Sequence, residues 1–122
     1  MILVDTSVWV DHFRHGNAQL VHLLNATEVC MHPMIVGELA CGNLAHRKKI
    51  LNLLQNLELV PEASHSEVMY LLDAHNLMGR GVGFVDLHLL SSSLLSSNTA
   101  LWTLDRRLAM IASELKVNFL NQ

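Results

Sequence analysis

Residues 1–9 read MILVDTSVW. An apolar run, Ile2–Val4, meets a carboxylate, Asp5, which is followed at once by two hydroxyl residues, Thr6 and Ser7. A short run of this kind suits a strand buried on both faces, as in a parallel sheet. Similar runs recur at Val29–Met31, Leu57–Val60, Ala100–Leu104 and Val117–Leu120. Helical patterns fill the intervals. Ser7–Arg14 has Ser7 as its expected N-cap, Ala18–Asn25 is leucine-rich, and Met34–Cys41 follows Pro33, a residue suited to a first helical turn. Arg47–Gln55, Val85–Ser97 and Arg106–Leu115 add three more, and Ser64–Met78 opens with Ser64 and Glu67 at capping-box spacing. Strands alternating with helices predict an α/β protein, a three-layer α/β/α domain around a parallel sheet. Ligands of such sheets sit beyond the carboxyl ends of the strands, at a switch in strand order. Asp5 stands at that position.

Composition narrows the class. The chain has 122 residues, 51% hydrophobic and 16% charged, which fits a single domain over 1–122 with a real core. Its longest apolar stretch, Phe84–Leu95, is interrupted by Asp86, His88 and three serines, so no membrane span is expected. Asp5 cuts short the first apolar run, and no basic residue precedes it, so that run does not read as a secretion signal. Two cysteines, Cys30 and Cys41, are too few for a disulfide scaffold, and a reducing cytoplasm is the expected compartment. Eight Lys and Arg against eleven Asp and Glu give a net charge of −3, not the basic surplus of a nucleic-acid clamp. A cation held by acids would still bring phosphate to such a surface.

Four acids carry the chemistry. Asp5 and Asp105 close strand-like runs, Asp86 follows the flexible GRGVG stretch at the start of a helix, and Glu38 lies among small and apolar residues in MIVGELACG. Each has an ordinary alternative, as a turn, an N-cap or an exposed helix residue. Gathered together, they would repel unless a cation neutralised them. Mg²⁺ or Mn²⁺ suits an all-oxygen site, with Thr6, Ser7 and Thr103 placed to orient the carboxylates. Other readings fail on context. GRGVG follows a helical pattern and lacks the third glycine of a dinucleotide loop. The eight histidines lack the paired spacing of a closed zinc site. No nucleophile elbow precedes Ser91–Ser93.

The segments MILVDTSVWVDHFR, GELACG, GFVDLHLLSSSLL and LWTLDRRLAMIA, in this order along the whole chain, resemble those of a PIN-domain protein, and more narrowly a VapC-type toxin of a bacterial toxin–antitoxin pair. The resemblance implies a sheet of about five strands in the order 3-2-1-4-5. It implies a ribonuclease that cleaves RNA phosphodiesters with one or two Mg²⁺ or Mn²⁺ ions. Asp5 and Asp86 would be direct ligands, Asp105 would complete the set, and Glu38 would act directly or through water. A small VapB-type antitoxin and a homodimer are the implied partners. Where relatives often carry an alanine-rich helix this chain has SSSLLSS, a change of similar size. Arg80, Arg106 and Arg107 are expected near RNA phosphates, while Arg14 and Arg47–Lys49 would line an RNA track or meet the antitoxin. The alternative is a non-catalytic Mg²⁺-binding module resembling a receiver domain. That reading lacks the acidic pair and the late-strand lysine it requires.

Overall fold

A computed structural model describes residues 1–119. β1 (Ile2–Val4) is central, with β2 (Val29–Met31) on one side and β4 (Ala100–Trp102) on the other; β3 (Glu58–Leu59) lies beyond β2. All pairings are parallel, with Leu3 opposite both Cys30 and Leu101. Leu3 and Val4 have no solvent exposure, as a strand covered on both faces requires. The helices described are α1 (Thr6–His15), α2 (Ala18–Asn25), α3 (Pro33–Ala40), α4 (Arg47–Gln55), α5 (His65–Ala74), α6 (Phe84–Leu95) and α7 (Arg106–Glu114). α3 packs on α1 and α4, α5 packs on α6, and both α6 and α7 meet β4. The expected α/β/α architecture is the one observed.

The order β3-β2-β1-β4 places the switch between β1 and β4, because the chain crosses from one outer edge of the sheet to the other side of β1. The five-strand expectation needs one correction. Among the described residues the sheet has four strands, and the run predicted at Val117–Leu120 contributes a single parallel bridge, Leu101 to Asn118. The chain leaves α7 through Lys116 at φ +60° and, among the described residues, runs beside β4 over Val117–Phe119. Leu101 N–H donates to Val117 O at 2.7 Å, and Phe119 N–H donates to Leu101 O at 2.9 Å. This segment takes the fifth place, outside β4. Leu120, the last residue of the predicted run, lies outside the described residues.

Element boundaries shift for local reasons. α1 begins one residue before the predicted start because Asp5, in extended conformation, is the N-cap in place of Ser7. α5 stops at Ala74, four residues short of Met78. Asn76 adopts φ +52°, Leu77 N–H reaches Leu72 O, and buried Leu77 locks the end, as in a Schellman stop. The capping box of Ser64 and Glu67 forms as predicted. Among the described residues no helix is long and apolar enough to cross a membrane.

α6 is buried along Leu87–Ser93, and its serines allow close approach. Ser93 Oγ donates to Leu89 O at 2.9 Å, whereas the buried Ser92 Oγ has no partner among the described residues. Burying an unpaired hydroxyl costs about 1–3 kcal/mol. Ser92→Ala is therefore expected to raise the stability of the fold by about 1 kcal/mol, read as a higher urea midpoint at unchanged m-value.

Candidate active site

The chain turns sharply after β1 and after β4, and both turns deliver an aspartate to the carboxyl edge of the sheet. Asp5 is buried, and its N–H still donates to Trp102 O at 2.9 Å, extending the ladder by one residue. Its Oδ2 accepts Ser7 Oγ at 2.7 Å, Thr103 Oγ1 at 2.8 Å and, more weakly, Ser7 N–H at 3.4 Å. Both hydroxyls also accept from the turn after β4: Leu104 N–H donates across to Ser7 Oγ, and Asp105 N–H donates to Thr103 Oγ1 within that turn, each at 3.0 Å. Ser7 and Thr103 thus join the turn after β1 to the turn after β4. β4 ends at Trp102, short of the predicted Leu104, because Thr103 bends to make these bonds.

Asp105 caps α7, its Oδ1 accepting Arg107 N–H at 2.9 Å and Leu108 N–H at 3.3 Å. Asp86 is the third residue of α6, and its Oδ2 accepts Gly83 N–H at 3.1 Å. Glu38 is exposed on α3, where Thr6 Oγ1 donates to its Oε1. α3 is itself fixed at this edge by His32, fully buried, whose Nδ1 accepts Met34 N–H at 3.0 Å. The ordinary capping roles are therefore real for Asp5 and Asp105. They do not compete with a site, since a cap occupies one carboxylate oxygen. Among the described residues Asp5 Oδ1, Asp86 Oδ1, Asp105 Oδ2 and Glu38 Oε2 make no hydrogen bond.

The acids act on one another. Partial burial is the main cause that raises the Asp86 carboxyl above its usual range; the Gly83 amide opposes it, and the charges of Asp5, Asp105 and Glu38 add to the rise. Asp86 thus lies within electrostatic reach of all three. They have not closed on a common point: among the described residues no three His, Cys, Asp or Glu side chains stand together at metal-ligand spacing. Each instead takes the hydrogen bond nearest to it, as mutually repelling carboxylates should. Three of the four lie at helix N-termini, whose positive dipole ends reduce the repulsion. Four carboxylates, each with an oxygen to spare, form a donor set suited to a hard divalent cation such as Mg²⁺ or Mn²⁺.

The expected cations divide. Arg106 is exposed beside Asp105. Arg80 instead forms a two-pronged bond to Glu114, at 2.7 and 2.6 Å, and Arg107 lies against Gly81. Arg47 donates to Ala40 O, which satisfies the end of α3. Arg14 lines a cleft of about 500 Å³ that runs from Glu38 past Phe13, Leu39 and His46. The sequence carried no cue to the hydrogen-bonding roles of Gly83, His32 or Glu114. Gly83 acts through its backbone, His32 as a cap, and Glu114 through a partner 34 residues away.

Comparison with known proteins agrees with this architecture. The PIN domain family matches residues 2–114. Ribonuclease VapC32 from Mycobacterium tuberculosis, in strains CDC 1551/Oshkosh and ATCC 25618/H37Rv, is 46% identical over 114 residues, covering 93% of this chain and 92% of that protein. By its sequence, and in keeping with its strand order, the chain belongs to the PIN-domain family and is of the VapC type.

Proposed function

We propose that this protein is a metal-dependent endoribonuclease toxin that cleaves RNA phosphodiester bonds and is held inactive by a cognate VapB-type antitoxin. One observation carries the reading: at the carboxyl edge of the sheet Asp86 lies within electrostatic reach of Asp5, Asp105 and Glu38, and each of the four carboxylates has one oxygen unspent among the described residues. Asp5, Asp86 and Asp105 would hold Mg²⁺ or Mn²⁺, with Glu38 as a further ligand, direct or through water. When bound, the cation supplies Lewis acidity: it favours ionisation of a water and offsets the charge that builds on the phosphate.

The chain's own residues orient and exclude. Ser7 and Thr103 fix the plane of the Asp5 carboxylate, so its free Oδ1 is presented without rotational search. Thr6 does the same for Glu38. Arg106, exposed beside Asp105, would receive a neighbouring phosphate as a charge-assisted contact. The cleft beside Glu38 combines apolar walls with Arg14, which suits an amphipathic antitoxin segment carrying an acid. Exposed Tyr70, Leu94 and Leu95, on α5 and α6, offer a face for a homodimer. A cytoplasmic location follows from this reading.

The test is RNA cleavage by antitoxin-free protein. Activity is expected with Mg²⁺ or Mn²⁺, none with EDTA, and Asp5→Asn should abolish it while the circular dichroism spectrum stays native. A purified protein that leaves RNA intact with either metal would favour the non-catalytic module. Thr103→Val removes one orienting hydroxyl and is expected to lower cleavage by about 10- to 100-fold at fixed metal. Asp86 yields a stability prediction. A carboxyl whose pKa is raised by folding costs the fold nothing below its unfolded pKa, and destabilises it as pH climbs through the folded value. Asp86→Asn should therefore raise the melting temperature of metal-free protein at neutral pH, with the gain vanishing in acid. An unchanged or lower melting temperature at pH 7 would contradict this.

A further inference from the structure

Asp86 differs from the other acids in how it is delivered. Asp5 and Asp105 stand on turns tied together by Ser7 and Thr103. Asp86 rides on α6, which follows a loop whose glycines Gly79 and Gly81 adopt φ +73° and +84°. Such a loop has little stiffness of its own. Two side-chain contacts tie it to α7. Arg80 Nη1 and Nη2 donate to Glu114 Oε1 and Oε2 at 2.7 and 2.6 Å, a fork geometry that fixes direction as well as distance. The Arg107 side chain lies over Gly81 so closely that a Cβ there would stand 2.4 Å from Nη1 and 2.6 Å from Cδ. Arg107 is in the first turn of α7 and Glu114 is its last residue, so the loop is held near both ends of one helix. The N-cap of that helix is Asp105.

We propose that the Arg80–Glu114 fork and the Arg107–Gly81 contact form a clamp that sets Asp86 against Asp105 for shared capture of a divalent cation. Arg80 and Arg107 are then positioning residues, not RNA contacts. The proposal rests on the acids binding the metal, as argued above. It also accounts for the glycine at 81, where φ is positive and the Arg107 side chain leaves no room for a Cβ.

Charge exchange separates the roles. Mn²⁺ affinity is measured by titration calorimetry on antitoxin-free protein, alongside kcat and KM for RNA. Arg80→Glu and Glu114→Arg are each expected to weaken Mn²⁺ binding by about three- to tenfold, with KM for RNA nearly unchanged. The double variant Arg80→Glu/Glu114→Arg should recover most of that loss, because the pair is rebuilt in reverse. Gly81→Ala, which displaces Arg107, should weaken Mn²⁺ in the same direction, and covers the case where a charge reversal fails to fold. The proposal is overturned if Arg80→Glu raises KM while Mn²⁺ affinity holds, or if the double variant is no better than the singles. Asp5→Asn marks the other failure: if it leaves Mn²⁺ binding intact, the acids are not the metal site, and both readings fall together.

Discussion

Repulsion among like charges is the constraint around which this fold is arranged. Burial first, and then the charges of Asp5, Asp105 and Glu38, hold the Asp86 carboxyl above its usual ionisation range. Carboxylates brought together in a partly buried place destabilise a protein unless something opposes the charge. Part of the opposition here is structural. The N-termini of α1, α6 and α7 point into the region, so backbone N–H groups and helix dipoles face the acids. The same arrangement spends one oxygen of each acid and leaves the other free.

Sheet topology makes this convergence possible. Because β1 lies between β2 and β4, the turns after β1 and β4 open side by side, and the crossovers leave in opposite directions. Each turn feeds directly into a helix. An aspartate at the junction is therefore both the cap of the helix and a wall of the cleft. Ser7 and Thr103 couple the two junctions so tightly that the first and last parts of the chain share one polar network.

Rigidity is distributed unevenly over the four acids. Asp5 is buried and held by three donors, whereas Glu38 is exposed and held by one. Asp86 lies between these extremes, fixed through a glycine loop and two arginine contacts. Under the proposed function, a site that took up a cation and a long polyanion would benefit from this gradient. Two acids define the position, and the other two can adjust to it.

Much of this was legible in the sequence. Continuous apolar runs ending in Asp5 and Asp105 dictate buried parallel strands, because only such strands have no polar face. The helix over Arg47–Gln55 and the Ser64 capping box follow from local spacing alone. What the sequence left open is everything that depends on pairs distant along the chain. The reach of Thr103 to Asp5 spans 98 residues, and that of Arg80 to Glu114 spans 34. The fate of the last strand was open for the same reason, since Val117–Phe119 carries a strand-like composition but meets β4 at one bridge. Local propensity sets which segments become strands and helices; the separation of the four carboxylates is set by packing between segments, and only the tertiary structure decides it.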